Sequence, residues 1–185
     1  MPRVLVFLAA LALAACATPL PLGEGLPARA EVRDFALDAR FSLTHQAERH
    51  AGRLSWRHEA AGDEFRIHSP FGQTVAEIRF DARQASLRTA DGATHEAATP
   101  GQLVLAVLGY PLPIDNLAGW VLARPRGEAR IERDAAGRPQ LLAEDGWQIV
   151  YEYDDAAAAA LPSRLFVTRD GGPELRLRIE EWRAP

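Results

Sequence analysis

The sequence predicts a mainly β domain: one antiparallel sheet, strongly curled or closed into a barrel, with two short apolar helices plugging its concave face. Three observations predict it. Apolar and polar residues alternate through residues 35–43, the period of a strand with one wet face. Similar short runs recur at hairpin spacing on both sides of the midpoint, about eleven in all. Between the two groups lie residues 103–108 and 117–123, apolar stretches without a polar face.

At the start of the chain, basic Arg3 precedes an apolar run over residues 4–14 and the tetrapeptide Leu13-Ala14-Ala15-Cys16. The run is too short to cross a bilayer, so residues 1–15 read as a signal peptide and not as a spanning helix. Cys16 is the only cysteine of the chain. Its thiol stands where a diacylglyceryl group would be attached, and the tetrapeptide resembles the lipobox of bacterial lipoproteins. Ala17 follows in place of the Asp that retains such proteins in the inner membrane, which resembles the outer-membrane class. Pro19, Pro21, Gly23, Gly25 and Pro27 build neither a helix nor a paired strand, so residues 17–27 read as a tether, up to roughly 30 Å long. The expected division is a leader (1–15), a lipidated cysteine with its tether and a short helix leading in (16–34), and the sheet domain (35–185).

Cut before Cys16, the chain keeps 170 residues, enough for one domain with a sizeable core. Its 20 Arg face 25 Asp and Glu, a formal net charge of −5 without runs of one sign. That balance argues against nucleic acid as a partner.

The strand candidates continue with Leu54 and Trp56, Phe65 and Ile67, Ala76 with Ile78 and Phe80, Ala85 and Leu87, and residues 94–97, with Asp91-Gly92 as a hairpin turn before the last. Ser69-Pro70-Phe71-Gly72 has Ser, Pro and Gly at the first, second and fourth positions of a type I turn. That places Phe71 at the tip, either exposed or folded back on its own hairpin. Past the midpoint come residues 130–133, 140–143, 147–153, 164–168 and 175–182, broken by Gly137, Asp145-Gly146 and Asp170-Gly171-Gly172. Asp154-Asp155, ahead of five alanines, reads as the cap of a short helical turn.

In the centre, Thr99-Pro100-Gly101-Gln102 supplies an N-cap hydroxyl, Pro at the first helical position and Gln at N3, so a helix starts there and ends at Gly109. Residues 110–113 separate it from the second apolar stretch, which Arg124-Pro125 stops. A helix apolar all round must be buried on more than one side. Two arrangements satisfy that: a plain helix-on-sheet core, or a cavity in which an apolar ligand covers the second faces.

Catalytic and metal chemistry find no support. His45, His50, His58, His68 and His95 are scattered without ligand spacing, and His95-Glu96-Ala97-Ala98-Thr99 has Thr where a zinc protease motif needs its second His. A nucleophile elbow and a phosphate-binding glycine loop are both missing from the sequence. The protein is therefore expected to be neither an enzyme nor a holder of cofactors or metals.

One combination of motifs is specific. Gly52-Arg53-Leu54-Ser55-Trp56, Ser69-Pro70-Phe71-Gly72, Leu108-Gly109-Tyr110-Pro111-Leu112-Pro113 with Leu117 and Trp120, Gly146-Trp147-Gln148-Ile149-Val150-Tyr151, Leu161-Pro162 and residues 177–182 follow one another behind the lipobox. Over residues 35–182 this order resembles the outer-membrane lipoprotein receptor family LolB. The resemblance implies an incomplete antiparallel barrel of about eleven strands around an apolar cavity lidded by helices. It implies a monomer, anchored in the outer membrane and facing the periplasm. Such a protein accepts acylated lipoproteins from the periplasmic carrier LolA and inserts them into the inner leaflet. Cys16 then carries the anchor, and Phe71, with Pro70 beside it, stands where the family has a Leu on a membrane-insertion loop. Strand parity and the two helices nominate Trp56, Ile67, Ile78, Leu103, Val107, Leu117, Trp120, Trp147 and Val150 for a wall that holds acyl chains. Ala123 stands where the family often has Gly. The competing expectation is a structural or assembly lipoprotein whose barrel binds a protein partner and carries no lipid.

Overall fold

The computed structural model describes residues 29–81 and 83–183; the leader, Cys16 and the tether lie outside the described residues. Eleven strands form one antiparallel sheet: β1 (Phe35–His45), β2 (Glu48–Glu59), β3 (Gly62–His68), β4 (Thr74–Asp81), β5 (Ala85–Thr89), β6 (Thr94–Ala97), β7 (Ala129–Arg133), β8 (Pro139–Glu144), β9 (Trp147–Glu152), β10 (Arg164–Thr168) and β11 (Glu174–Arg183). Their order is β6-β5-β4-β3-β2-β1-β11-β10-β9-β8-β7. The first and last strands are therefore neighbours in the middle of the sheet. Its edges are β6 and β7, joined in sequence through helices α1 (Pro100–Leu108) and α2 (Ile114–Val121). The barrel stays incomplete. Both edge strands are short, and β7 is studded with charge, which discourages pairing with other chains.

Register explains which face is apolar. Leu37 lies opposite Trp56, Trp56 opposite Phe65, Phe65 opposite Ile78, and Ile78 opposite Leu87. Leu43, Leu175, Val167, Ile149, Leu142 and Ile131 form the corresponding row on the other half. Each side chain buried in these rows contributes about 1.5–3 kcal/mol of hydrophobic stabilisation. A slip of one residue would turn a whole row to solvent, which pins the register.

Turn chemistry sets the two ends of the barrel. The turns after β1, β3 and β5 lie at one end of this half of the sheet, here the mouth, while those after β2 and β4 lie at the other, the floor. Gly52 sits where a Cβ would come within 2.6 Å of the His68 carbonyl oxygen, and the Phe41 ring covers the space the missing side chain leaves. The described part of the N-terminal segment is a turn over residues 29–31 and an irregular stretch up to β1, with no helix. Residues 157–160 close a single turn through Ala160 N donating to Ala157 O, and Asp155 accepts from Ala157 N.

The helices follow their sequence signals with two differences. The Thr99 hydroxyl accepts from Gln102 N at 3.3 Å, and Gly109 ends α1 with φ 79°. However, α1 buries only Leu103 and Val104, leaving Leu105 48% and Val107 39% exposed, so its second face is open to solvent instead of enclosed. Helix α2 begins at Ile114, ahead of the expected apolar stretch, and takes in Asp115 and Asn116 on its polar side. It ends with Ala123 in the left-handed region (φ 52°), where Ala123 N donates to Trp120 O and Arg124 N to Gly119 O. A Cβ at Gly119 would stand 2.6 Å from the Arg124 carbonyl oxygen, so this closure requires glycine there.

Candidate functional site

Between the concave face and the helices lies a cavity of about 530 Å³, bounded by residues from β1 to β5, β11, α1 and α2. Its existence follows from element lengths and placement. Helix α1 has nine residues and spans about 14 Å. The twelve residues of β2 run about 40 Å. Helix α1 lies closest to β5 and β6, so it does not follow β2 along its length, and part of the concave face is left without a protein partner among the described residues.

The floor is aromatic. Phe35 meets Trp56 edge-on at 5.0 Å, Trp56 stacks on Phe65 at 4.7 Å, and Phe65 lies 5.2 Å from Phe80. The polar edge of Trp56 points away from the void, Nε1 donating to Asp63 Oδ1 at 2.7 Å, so the indole shows the cavity a rigid apolar surface. The mouth is bordered by Arg49, His50, Val75, Thr89 and Val107. Beside it the Tyr110 ring lies 4.3 Å from His45, joining the end of α1 to the end of β1. Burial, with Glu48 nearby, raises the Tyr110 pKa above the ordinary value, which keeps that contact uncharged. From Trp56 to His50 is six steps along β2, about 20 Å. One leaflet of a bilayer offers its acyl chains about 15 Å, half of the hydrocarbon core.

Phe71 lies at the same end. Gly72 N donates to Ser69 O at 2.9 Å and Ser69 N to Gln73 O at 2.8 Å, which closes the turn, and Gly72 takes φ 85°. The Phe71 side chain is 93% exposed and does not fold back on its hairpin. Pro70 is exposed beside it, and Val75, on the strand that follows, is partly exposed as well. A large bare aromatic on a rigid turn, next to an apolar opening, is the surface expected to meet another apolar phase.

Of the nine nominated wall residues, Trp56, Ile67, Ile78, Leu103, Val107 and Leu117 border the cavity. Three do not. Val150 points outward, 38% exposed, because β9 buries Trp147, Ile149 and Tyr151; Trp147 and Val150 stand three apart and cannot share one face of a strand. Trp120 and Trp147 face inward but lie in the solid core under the other half of the sheet, their rings 6.0 Å apart. Residues that the sequence reading passed over also border the void, among them Leu54, Phe65, Leu87, Val104, Leu175 and Leu177. Leu54 has the parity of Trp56, and Phe65 that of Ile67, so the signal was present.

Glu144 was not anticipated. It is 3% exposed; Oε2 accepts from Trp120 Nε1 at 2.5 Å, and Oε1 accepts from Arg126 N and Gly127 N at 2.7 Å each. It ties α2 and the strand-linking loop after it to the end of β8. A second cavity of about 490 Å³ at the floor is lined by Arg33, Asp63, Asp81, Asp115 and Arg126 among others, a charged surface unsuited to an apolar ligand. Among the described residues no helix is long and apolar enough to cross a membrane.

The family model for outer membrane lipoprotein LolB matches residues 33–182. The chain is 44% identical over 176 residues to the outer-membrane lipoprotein LolB of Dechloromonas aromatica, covering 92% of each chain. It is 40% identical over 184 residues to that of an Azoarcus strain, with 95% of each covered. Among solved structures, a domain from Vibrio parahaemolyticus described as an outer membrane lipoprotein-sorting protein shares the fold, with a TM-score of 0.51 at 12% identity over 81% of this chain and 84% of that one. The motif order, the open eleven-stranded barrel and these matches agree that this chain belongs to the LolB family.

Proposed function

We propose that this protein accepts the acyl chains of lipoproteins from the carrier LolA into the cavity beneath α1 and α2 and releases them into the inner leaflet of the outer membrane. The observation that carries the reading is an apolar cavity whose mouth opens at the end that presents Phe71. Burying a methylene is worth about 0.8 kcal/mol, so three long acyl chains exposed to water represent some tens of kcal/mol. Cargo must therefore pass from one apolar mouth to another without crossing water. A monomer suffices, with Cys16 acylated and residues 17–28 linking the anchor to the domain.

The test uses the mature protein with LolA carrying a labelled lipoprotein. Ile78 is buried in the cavity wall, and Ile78→Glu should abolish both acceptance and binding of a hydrophobic fluorophore displaceable by an acylated peptide. Phe71→Glu should leave acceptance intact and impair delivery to liposomes. A folded wild-type protein that binds neither the fluorophore nor the acylated peptide would instead favour a structural lipoprotein that recognises a protein partner.

A further inference from the structure

The wall of the large cavity is apolar except at its mouth. Of the residues that border it, only Arg49, His50 and Thr89 carry polar side chains, and all three stand at the end where the turns after β1 and β5 lie. Thr89 is already committed, its hydroxyl lying against Asp91 Oδ1 and 3.1 Å from the Ala93 carbonyl oxygen. Arg49 is not: its guanidinium forms no ion pair among the described residues, and its side chain is exposed at the rim. His50 lies opposite the buried Leu43 and Glu48 opposite His45, so both belong to the row that faces inward. Glu48 Oε2 stands 3.8 Å from His50 Nε2, close to Tyr110.

The depth of the cavity relates these groups to a ligand. From His50 to Trp56 is six steps along β2, about 20 Å, and one leaflet gives an acyl chain about 15 Å. A chain whose methyl end rests near Trp56 therefore brings its head within reach of the long Arg49 side chain. An acyl chain carried on a protein begins with a carbonyl, in an ester or an amide. At an apolar mouth that oxygen loses water and needs a donor. A guanidinium and an imidazole N–H are donors of that kind. Glu48 beside them offsets the guanidinium charge, so a carboxylate head is opposed there while an uncharged carbonyl is not. We propose that Arg49 and His50 form a subsite for the uncharged carbonyl at the head of an acyl chain, with Glu48 turning away carboxylate heads. The chain then lies with its head at the mouth and its tail against Trp56, and the site separates ester- and amide-linked chains from free fatty acids. A few placed polar groups on an apolar wall are what fix the direction of a ligand. The inference rests on the proposed uptake of acyl chains, and it adds their direction and a selection by head group.

The experiment uses the full mature chain from residue 16 with Cys16→Ala, which has no anchor of its own to occupy the cavity. Of the four tryptophans, Trp56 alone borders the cavity. Methyl hexadecanoate brominated at its tail should quench Trp56 emission, and the ester brominated beside its carbonyl should not; Trp56→Phe, which removes the quenching, is the control. Arg49→Met combined with His50→Phe should weaken binding of methyl hexadecanoate about tenfold, the effect of losing a hydrogen bond from a charged donor, while hexadecane binds within about twofold of its wild-type affinity. Glu48→Gln should strengthen binding of ionised hexadecanoate about twofold to fivefold and leave the methyl ester as it was. Far-ultraviolet circular dichroism verifies that each variant is folded. Equal quenching by the two brominated esters, or a double variant that binds the ester as the wild type does or loses hexadecane to the same extent, would overturn the subsite while leaving uptake standing. Unchanged hexadecanoate binding in Glu48→Gln would overturn the selection against carboxylates. A folded wild-type protein that binds neither the ester nor hexadecane would instead refute the reading on which the inference rests.

Discussion

Replacing Glu144 with Ala should be among the most damaging single changes in the domain. The carboxylate is buried and accepts from three N–H donors, the Trp120 indole and the amides of Arg126 and Gly127. An orphaned buried donor costs about 1–3 kcal/mol. With one of the three regaining water, the loss is about 2–6 kcal/mol, a large fraction of the roughly 5–15 kcal/mol that holds a domain together. Glu144→Gln keeps the shape and one acceptor oxygen. Its oxygen can serve the two backbone amides while its NH2 opposes the Trp120 N–H, so about 1–3 kcal/mol should be lost. Adding Trp120→Phe to the Gln variant removes that opposing donor, and the pair should cost less than the sum of the two single changes. Urea unfolding followed by far-ultraviolet circular dichroism measures all four proteins without depending on indole fluorescence. A loss below about 1 kcal/mol in Glu144→Ala would refute the claim that this carboxylate fastens α2 to the sheet.

Three further outcomes are expected. The Tyr151 hydroxyl is buried without a hydrogen-bond partner among the described residues, and burial first, then Tyr153 and Glu144, raises its pKa well above the ordinary value of 10.0. The folded state thus holds that proton more tightly, so the contribution is complete below the unfolded pKa and is lost as pH rises beyond it. Tyr151→Phe should gain about 1 kcal/mol at neutral pH and flatten, without abolishing, the fall in stability above about pH 10, since Tyr153 and Tyr110 are shifted in the same direction. Ala123→Gly should raise the urea midpoint by the equivalent of about 0.5–1 kcal/mol, because φ 52° strains any residue with a Cβ. Ile149→Asp should prevent folding while the adjacent Val150→Asp shifts the midpoint by no more than about 0.5 kcal/mol, as only the first buries a carboxylate.

Much of this fold was legible because local chemistry and tertiary structure agree. Thr99, Pro100 and Gly109 bound α1 in place, Asp91-Gly92 and Ser69-Pro70-Phe71-Gly72 turn the chain where expected, and the alternation around Phe35 and Trp56 gives the buried face. The wall of the cavity was less legible. Parity tells inward from outward, but it does not tell a void from a core, and Trp120 and Trp147 differ from Trp56 only in what the other elements bring against them. Val150 was misplaced by one residue, for in a segment as apolar as residues 147–151 either face could be the inner one. Glu144 carried no signal because a carboxylate before an Asp-Gly turn is ordinarily solvated; its burial depends on amides that only the loop after α2 delivers. Ala123 holds a left-handed backbone, the conformation that favours glycine.

The placement of Phe71 beside the mouth follows from topology. In a sheet whose first six strands follow one another as hairpins, the turns after β1, β3 and β5 must fall at one end, and those after β2 and β4 at the other. The chain leaves β6 at the floor, so α1 starts there and climbs, reaching the mouth at Tyr110 against His45. Because α1 lies along β5 and β6, the concave face over the mouth ends of β2 and β4 stays open beside it. The opening and the exposed aromatic are thus consequences of the same strand count. They remain chemically separable, since Phe71 is absent from the cavity wall and Ile78 is far from the turn. Variants at the two positions should therefore divide transfer into an acceptance step that needs the void and a release step that needs the tip.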